Sequence, residues 1–313
     1  MQRTIKIGTR ESELAVWQAN LVKELLSKNN INAELVYVKS EGDIDLVTPL
    51  YAMGVQGVFT RTLDAALLND RIDIAVHSMK DVPTQLPEGI RQAAVLKRAS
   101  YKDILVYQGE GEEIKSKVKN ADSKMCIATS SIRRKAQWLH RYPEHTIENL
   151  RGNVNTRLRK VVENIHWDGA IFAAAGLERI NLRPETSIEL DWMLPAPAQG
   201  AIMVVCRSND QFSFEACRHF NDEDTALCTK IERDFLSTLM GGCSTPISAL
   251  AKFTDGGIRL NGNICSADGE KIIKIEKKVK VEDSLGLGKL AGKQLLEDPA
   301  VLEIIEQIRN AKH

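Results

Sequence analysis

The sequence predicts an α/β protein with mostly parallel sheets that ends in a small α+β domain built on a three-stranded antiparallel sheet. Three observations predict this. Short apolar runs of strand length alternate with amphipathic helical segments through the first part of the chain. From about residue 217 that alternation stops. Three strands then succeed one another at 247–254, 257–265 and 271–280, with turns between them, before two terminal helices.

In chain order, TIKIG (4–8) and ELVYV (34–38) read as strands. Between them Leu14, Trp17, Leu21 and Leu25 fall on one helical face, which makes a βαβ unit. Residues 40–58 are glycine-dotted and poorly periodic, so a mobile loop is expected. Phe59, Leu63 and Leu67 mark the next helix, and IDIAVHS (72–78) reads as a buried strand. ILVY (104–107), MCIAT (125–129), GAIFAAAG (169–176) and AIMVVCR (201–207) are further strands, alternating with helices around 131–140 and 154–165. A helix carrying Ala226, Leu227, Ile231, Phe235 and Leu239 leads into the turn Gly241-Gly242-Cys243.

The 313 residues suffice for two or three domains, and 43% hydrophobic with 27% charged residues is ordinary for a soluble protein. Lys plus Arg and Asp plus Glu both number 42, so net charge gives no pull toward nucleic acid or membrane. MQRTIKIGTRES holds no signal-peptide run and no segment reaches transmembrane length, so a cytoplasmic protein is expected. The six cysteines form no CxxC pair and the six histidines show no metal spacing. Five cysteines lie in apolar or helical stretches and read as inert fillers; Cys243 does not.

Open α/β sheets bind ligands beyond the carboxyl ends of their strands. There this sequence places Arg10 and Ser12, then Lys80 and Asp81, then Ser130, Ser131, Arg133 and Arg134, then Arg151 and Arg157, then Arg179. Residues 133–183 hold eight arginines. Each alone reads as a solvated helix face, but the set at strand ends points to a polyanionic ligand. No GxxxxGK[ST] or strand-following GxGxxG is present, and aromatics are 5%, which disfavours nucleotides and nucleic acid and leaves organic polycarboxylates. Asp81, held out of a helix by Val82-Pro83, reads either as an ion-pair partner of Lys80 or Arg10 or as a carboxylate that stabilises a cation and handles protons. His77 reads as a satisfied core histidine. Cys243, between a glycine pair and Ser244-Thr245-Pro246, is either an incidental residue after a helix end or a thiol presented to form a bond.

TRESELAVWQA, HSMKDVP, TSSIRR, LRGNVNTRL, AAAGLERI and LMGGCSTPI, in that order, closely resemble the porphobilinogen deaminase (hydroxymethylbilane synthase) family, from residue 4 to about 310. The resemblance implies two α/β domains like those of periplasmic binding proteins with a cleft between them, at 1–98 plus 198–216 and at 99–197. A third domain, 217–313, would carry the cysteine loop. It implies stepwise head-to-tail condensation of four porphobilinogen molecules, with loss of ammonia, to the linear tetrapyrrole hydroxymethylbilane. A dipyrromethane cofactor would be held by a thioether to Cys243. By motif position, Asp81 and Lys80 would be catalytic, with Asp81 steadying the cationic azafulvene formed as ammonia leaves. The cofactor would also meet Arg10, Ser12, Ser78, Thr129, Ser130, Ser131, Arg133, Arg134, Arg151, Gly152 and Arg157. Substrate would meet Arg10, Phe59, Arg151, Arg157, Arg179, Gln199 and Gly200. Porphobilinogen is the implied partner, and a monomer without metal, nucleic acid or membrane is expected.

Two segments depart from the family pattern. MGVQGVF (53–59) has Val55 and Gln56 where the family commonly carries a lysine, and Ala198 precedes Gln199-Gly200 where glycine is common. Neither touches Asp81 or Cys243. Two other functions compete: a polycarboxylate-binding module, which leaves the third domain and the thiol without a role, and a cysteine-nucleophile transferase or hydrolase, which makes Asp81 incidental.

Overall fold

The computed structural model describes residues 3–39, 60–109, 111–120, 123–239 and 245–310. Two five-stranded sheets and one three-stranded sheet organise them. The first sheet runs β2 (Ala33–Tyr37), β1 (Ile5–Thr9), β3 (Ile74–Ser78), β10 (Ile202–Arg207), β4 (Ile90–Val95). The second runs β7 (Thr146–Glu148), β6 (Cys126–Ala128), β8 (Gly169–Ala173), β5 (Asp103–Tyr107), β9 (Ser187–Glu189). Both follow one plan. Three strands pair in parallel, and a reversed strand is inserted next to the last. The reversed strand is in each case the one that enters directly from the other sheet: β5 after β4, and β10 after β9. The expectation of mostly parallel sheets therefore holds for four strands of five in each, and the late strand at 201–207 does complete the first sheet.

Strand ends and helix faces refine the reading. The run GAIFAAAG is a strand only to Ala173, and Ala174 opens α6 (Ala174–Glu178), because alanine is apolar enough for a strand yet the strongest helix former. On α1 (Glu13–Lys28) the fully buried side is Gln18, Ala19, Val22 and Leu26, with Trp17, Leu21 and Leu25 flanking it. The packed face is thus turned by about one residue from the predicted stripe. Leu63 and Leu67 are buried on α2 (Arg61–Leu68); Phe59 and the 40–58 segment lie outside the described residues.

The third unit packs α8 (Glu223–Thr238), α9 (Leu287–Leu295) and α10 (Pro299–Asn310) on β11 (Ile247–Thr254), β12 (Gly257–Cys265) and β13 (Ile272–Val279). Its three strands pair antiparallel, as expected. Ile231, Phe235 and Leu239 face this core, whereas Ala226 packs against the first unit. The first unit also reaches beyond residue 217. α7 (Gln211–Arg218) lies on its sheet, and Cys217 and Phe220 belong to its core, so the changeover falls at Asn221–Asp222. Cys206, Cys217, Cys228 and Cys265 are buried, with thiols pushed up by burial, and Cys126 is half-buried. No helix among the described residues is long and apolar enough to cross a membrane.

One carboxylate joins the three units. Glu232, fully buried on α8, accepts Arg98 Nη1 at 2.6 Å from the outgoing crossing and the Ala198 N–H at 2.7 Å from the returning one. It also accepts the Ala251 N–H of β11 at 2.8 Å. Removing one partner of a buried ion pair typically costs about 3–5 kcal/mol, because the other charge stays desolvated. Glu232→Ala should therefore lower the unfolding free energy by that amount, read as a drop in urea midpoint. A midpoint equal to the parent's would show that Arg98 is solvated at this junction.

Candidate active site in the cleft

The cleft wall of the first unit is made by the segments that follow β1 and β3. Ser78, the last residue of β3, accepts a hydrogen bond from Gln18 Nε2 at 2.9 Å. A single 3₁₀ turn, Met79–Asp81, follows, stopped by the extended Val82 before Pro83. It carries Lys80 and Asp81 side by side. Arg10 follows β1, and Ser12 stands at the N-terminus of α1 in extended conformation.

The opposite wall is built on helix starts. Ser131 caps α4 (Ile132–Arg141), the helix that follows α3 (Gly111–Lys119) in the chain, accepting the Arg134 N–H at 3.4 Å. The neighbouring loop binds itself: the Thr129 N–H donates to Glu148 O, Ser131 N–H to Thr129 Oγ1, and Ser130 Oγ to Leu150 O at 2.8 Å. Asn153 caps α5 (Val154–Glu163), whose first turn carries Arg157. Arg151 is buried just before it. Gly152 has φ +117°, and a Cβ there would meet Thr156 at 2.7 Å, so glycine is required for the chain to turn into the helix.

A residue the sequence did not point to holds this wall together. Asp103, the first residue of β5, is fully buried. Arg134 donates to it from Nε and Nη2 at 3.0 and 2.8 Å, and Arg133 Nη2 lies 2.8 Å from its other oxygen. Arg133 Nη1 further donates to Leu194 O, and Arg134 Nη1 to Ile171 O. These two arginines are thus anchored in the wall rather than extended into open solvent. Asp103 stands where a strand's polar first residue would be taken for surface; only the tertiary contact reveals it.

Charge couples the two walls. Lys80 is lowered to about 8, first by burial, with Asp81 and Asp103 raising it and Arg134 and Arg133 lowering it. Arg157 is lowered to about 10 by burial and by Arg134 and Arg151, against the pull of Asp81. Lys80, Asp81, Arg133, Arg134, Arg151 and Arg157 therefore share one electrostatic site, drawn from both sheets. Two family models match this chain: "Porphobilinogen deaminase, dipyromethane cofactor binding domain" over residues 5–215 and "Porphobilinogen deaminase, C-terminal domain" over residues 226–297. The chain belongs to the porphobilinogen deaminase family.

Among its relatives is the porphobilinogen deaminase of Acidithiobacillus ferrooxidans strain ATCC 53993, 37% identical, covering 99% of this chain and 100% of that one. The chloroplastic porphobilinogen deaminase of Pisum sativum is 40% identical, covering 93% of this chain and 81% of that one. Among solved structures, the methionine-binding protein MetQ aligns with a TM-score of 0.44 at 11% identity, covering 69% of this chain and 89% of that one.

Other positions named from the porphobilinogen deaminase motifs lie at the crossings. Arg179 ends α6, donates from Nη2 to Gly200 O at 2.6 Å and lies over the Trp17 ring at 5.9 Å. It is lowered to about 10 by burial. Gln199 donates to Tyr101 O and to Asp103 Oδ1 at 3.0 Å. Gly200 has φ +87°, and a Cβ there would lie 2.6 Å from Ser100 O, so only glycine lets the two crossings touch. Ala198, where the family commonly has glycine, also adopts positive φ, +61°. Phe59 and Cys243 lie outside the described residues.

His77 is buried in β3, but its Nε2 has no hydrogen-bond partner among the described residues, so it is not the satisfied histidine expected. Burial, and then nearby Arg10, lower it to about 4. A folded-state value below the unfolded 6.5 means that neutral His77 is at no disadvantage above pH 6.5. Its contribution to stability is lost as pH falls from there toward 4. In ¹⁵N-histidine-labelled protein His77 should stay neutral at pH 5.5; a titration midpoint above 6 would contradict this burial.

Proposed function

We propose that this chain is a hydroxymethylbilane synthase that joins four porphobilinogen molecules head to tail, releasing ammonia at each addition, on a dipyrromethane primer bound through Cys243. The supporting observation is the charge of the site: five cations, Lys80, Arg133, Arg134, Arg151 and Arg157, share a field with the carboxylates Asp81 and Asp103. Such an excess of buried cation calls for a polyanion. Membership of the porphobilinogen deaminase family supplies its identity, since each pyrrole unit carries an acetate and a propionate.

The residues fit such a group. Arg157 Nε is buried without a hydrogen-bond partner among the described residues, and its guanidinium is repelled by Arg134 and Arg151. An incoming carboxylate satisfies both needs at once. Arg10, Ser12, Ser78, Lys80, Thr129, Ser130, Ser131, Arg133, Arg134, Arg151, Gly152 and Arg157 would line the primer's side of the cleft. Phe59, Arg179, Gln199 and Gly200, with Arg10, Arg151 and Arg157, would line the substrate's side. When bound, the primer would supply the nucleophilic pyrrole carbon for the first addition, and the free end of the growing chain would supply it for each later one. Asp81 accepts the pyrrole N–H of the incoming unit and stabilises the cation left on it as ammonia departs. Lys80, cationic below about pH 8, holds a carboxylate beside it. The domain division of this reading is 1–98 with 198–216, 99–197 and 217–313, the first carried on through Phe220 by packing. A cytoplasmic monomer completes it, which sedimentation and fractionation would test.

Asp81→Ala should reduce turnover by at least 10²–10³-fold, the scale on which removing a single stabilising group acts, with an unfolding midpoint like the parent's. Near-normal tetrapyrrole formation by that variant would refute the assignment of Asp81. Intact-mass measurement should find a covalent dipyrrole on Cys243 that also colours with an aldehyde reagent for pyrroles. A bare thiol in active enzyme would refute the primer. Arg151→Leu should impair primer assembly or stall elongation, seen as a shifted distribution of covalent adducts in the same spectra; an unchanged distribution and rate would remove Arg151 from the site.

A further inference from the structure

The turn that bears Asp81 is gripped from outside the two walls. Arg233 lies on α8, next to Glu232. Its Nη1 donates to Val82 O at 2.8 Å and to Met79 O at 3.4 Å, and its Nη2 donates to Pro83 O at 2.5 Å. These carbonyls bracket the turn: Met79 opens it, and Val82 and Pro83 close it. A planar guanidinium is the one side chain whose fixed fork spans several carbonyls at once. On its other side the turn is tied to the return strand, where the Met79 N–H donates to Ala201 O at 3.0 Å. The backbone of Lys80 and Asp81 thus has two supports, and one of them is a side chain of the third unit.

α8 ends at Thr238, five positions before Cys243 in the sequence. The same helix binds both crossings through Glu232 and the Asp81 turn through Arg233. We infer that Arg233 is a positioning residue for the condensation: it fixes the Asp81 turn relative to the helix from which the chain runs on to the cysteine. It touches neither substrate nor primer and acts through Asp81. The inference rests on the reading of Asp81 as the carboxylate that stabilises the reacting cation. A displacement of about 1 Å at such a group can cost on the order of 10²-fold in rate.

The test uses primer-loaded enzyme, with loading scored by intact mass so that rates refer to loaded protein only. Arg233→Met keeps the apolar stem and removes the fork. It should lower kcat by about 10- to 100-fold while KM changes by less than about threefold, the signature of an interaction felt in the transition state. Arg233→Lys, which still donates to carbonyls, should recover part of the lost kcat. In an Asp81→Glu background, where the carboxylate is already displaced, Arg233→Met should cost far less than in the parent, because residues acting through one group are not additive. Loaded Arg233→Met enzyme with kcat within twofold of the parent overturns the inference. So does an equal fold-loss in both backgrounds, which would mean that Arg233 acts independently of Asp81. If Arg233→Met does not fold, Arg233→Gln takes its place with the same two outcomes. Should Asp81→Glu and Asp81→Ala both turn over like the parent, the reading of Asp81 itself fails, a result separate from the behaviour of the Arg233 variants.

Discussion

A wall of arginines facing a cleft must keep positive charge out of water, and in this molecule a single buried carboxylate makes that possible. Asp103 meets Arg134 through two hydrogen bonds and Arg133 through an ion pair, all at 2.8–3.0 Å. Moving an isolated ion into a protein interior costs several kcal/mol even after relaxation. One acid between two guanidiniums relieves that cost without cancelling the field, so the cleft stays positive. Burial first, and after it repulsion by neighbouring arginines, holds Lys80 and Arg157 below their usual values. A second internal acid beside Arg133 and Arg134 would have given a more comfortable apo protein and a poorer anion site.

Asp103 also sits at a mechanical junction. It begins β5, immediately after the chain crosses from the first sheet, and it accepts Gln199, which lies just before β10 on the way back. The two crossings touch at Gly200, with the Ala99 N–H on Gly200 O at 3.1 Å, and Glu232 ties both to α8. The electrostatic anchor of one wall and the connection between the walls are therefore one network. In this arrangement any shift at the crossings carries Asp103, and with it Arg133 and Arg134.

The parts legible in the sequence are those where polar residues break an apolar run. Arg10, Lys80-Asp81, the Thr129–Arg134 loop and Arg151–Arg157 each stand out because they follow a strand abruptly, and each occupies the cleft edge of its unit. What escaped is set by tertiary contact. Asp103 looks like a polar strand start. β4 was hidden because Arg91 and Gln92 interrupt its apolar alternation, and β7 and β9, three residues each, are too short to show any period. Glu232 and Arg233 sit on the polar side of an amphipathic helix, where solvent is the default; Arg98, the ion-pair partner of Glu232, and the carbonyls that Arg233 meets lie more than 130 residues away along the chain. The Ala174–Gly176 run reads as strand although it opens α6, because alanine satisfies strand and helix patterns alike.

Asp81 bears on the choice between capture and catalysis. For a protein that merely bound a polycarboxylate, an acid placed among the binding cations would be a defect. It repels the ligand, and it weakens the field of Arg157, whose guanidinium it stabilises in place of the ligand. The fold nevertheless supports that acid from both sides, through Ala201 and Arg233. A carboxylate is useful in a positive cleft when positive charge appears there transiently and in one place, as it does when ammonia leaves a pyrrole-bearing carbon. On the proposed reading, cations of the protein hold the chain by its peripheral carboxylates, and one fixed acid waits for the cation at its centre.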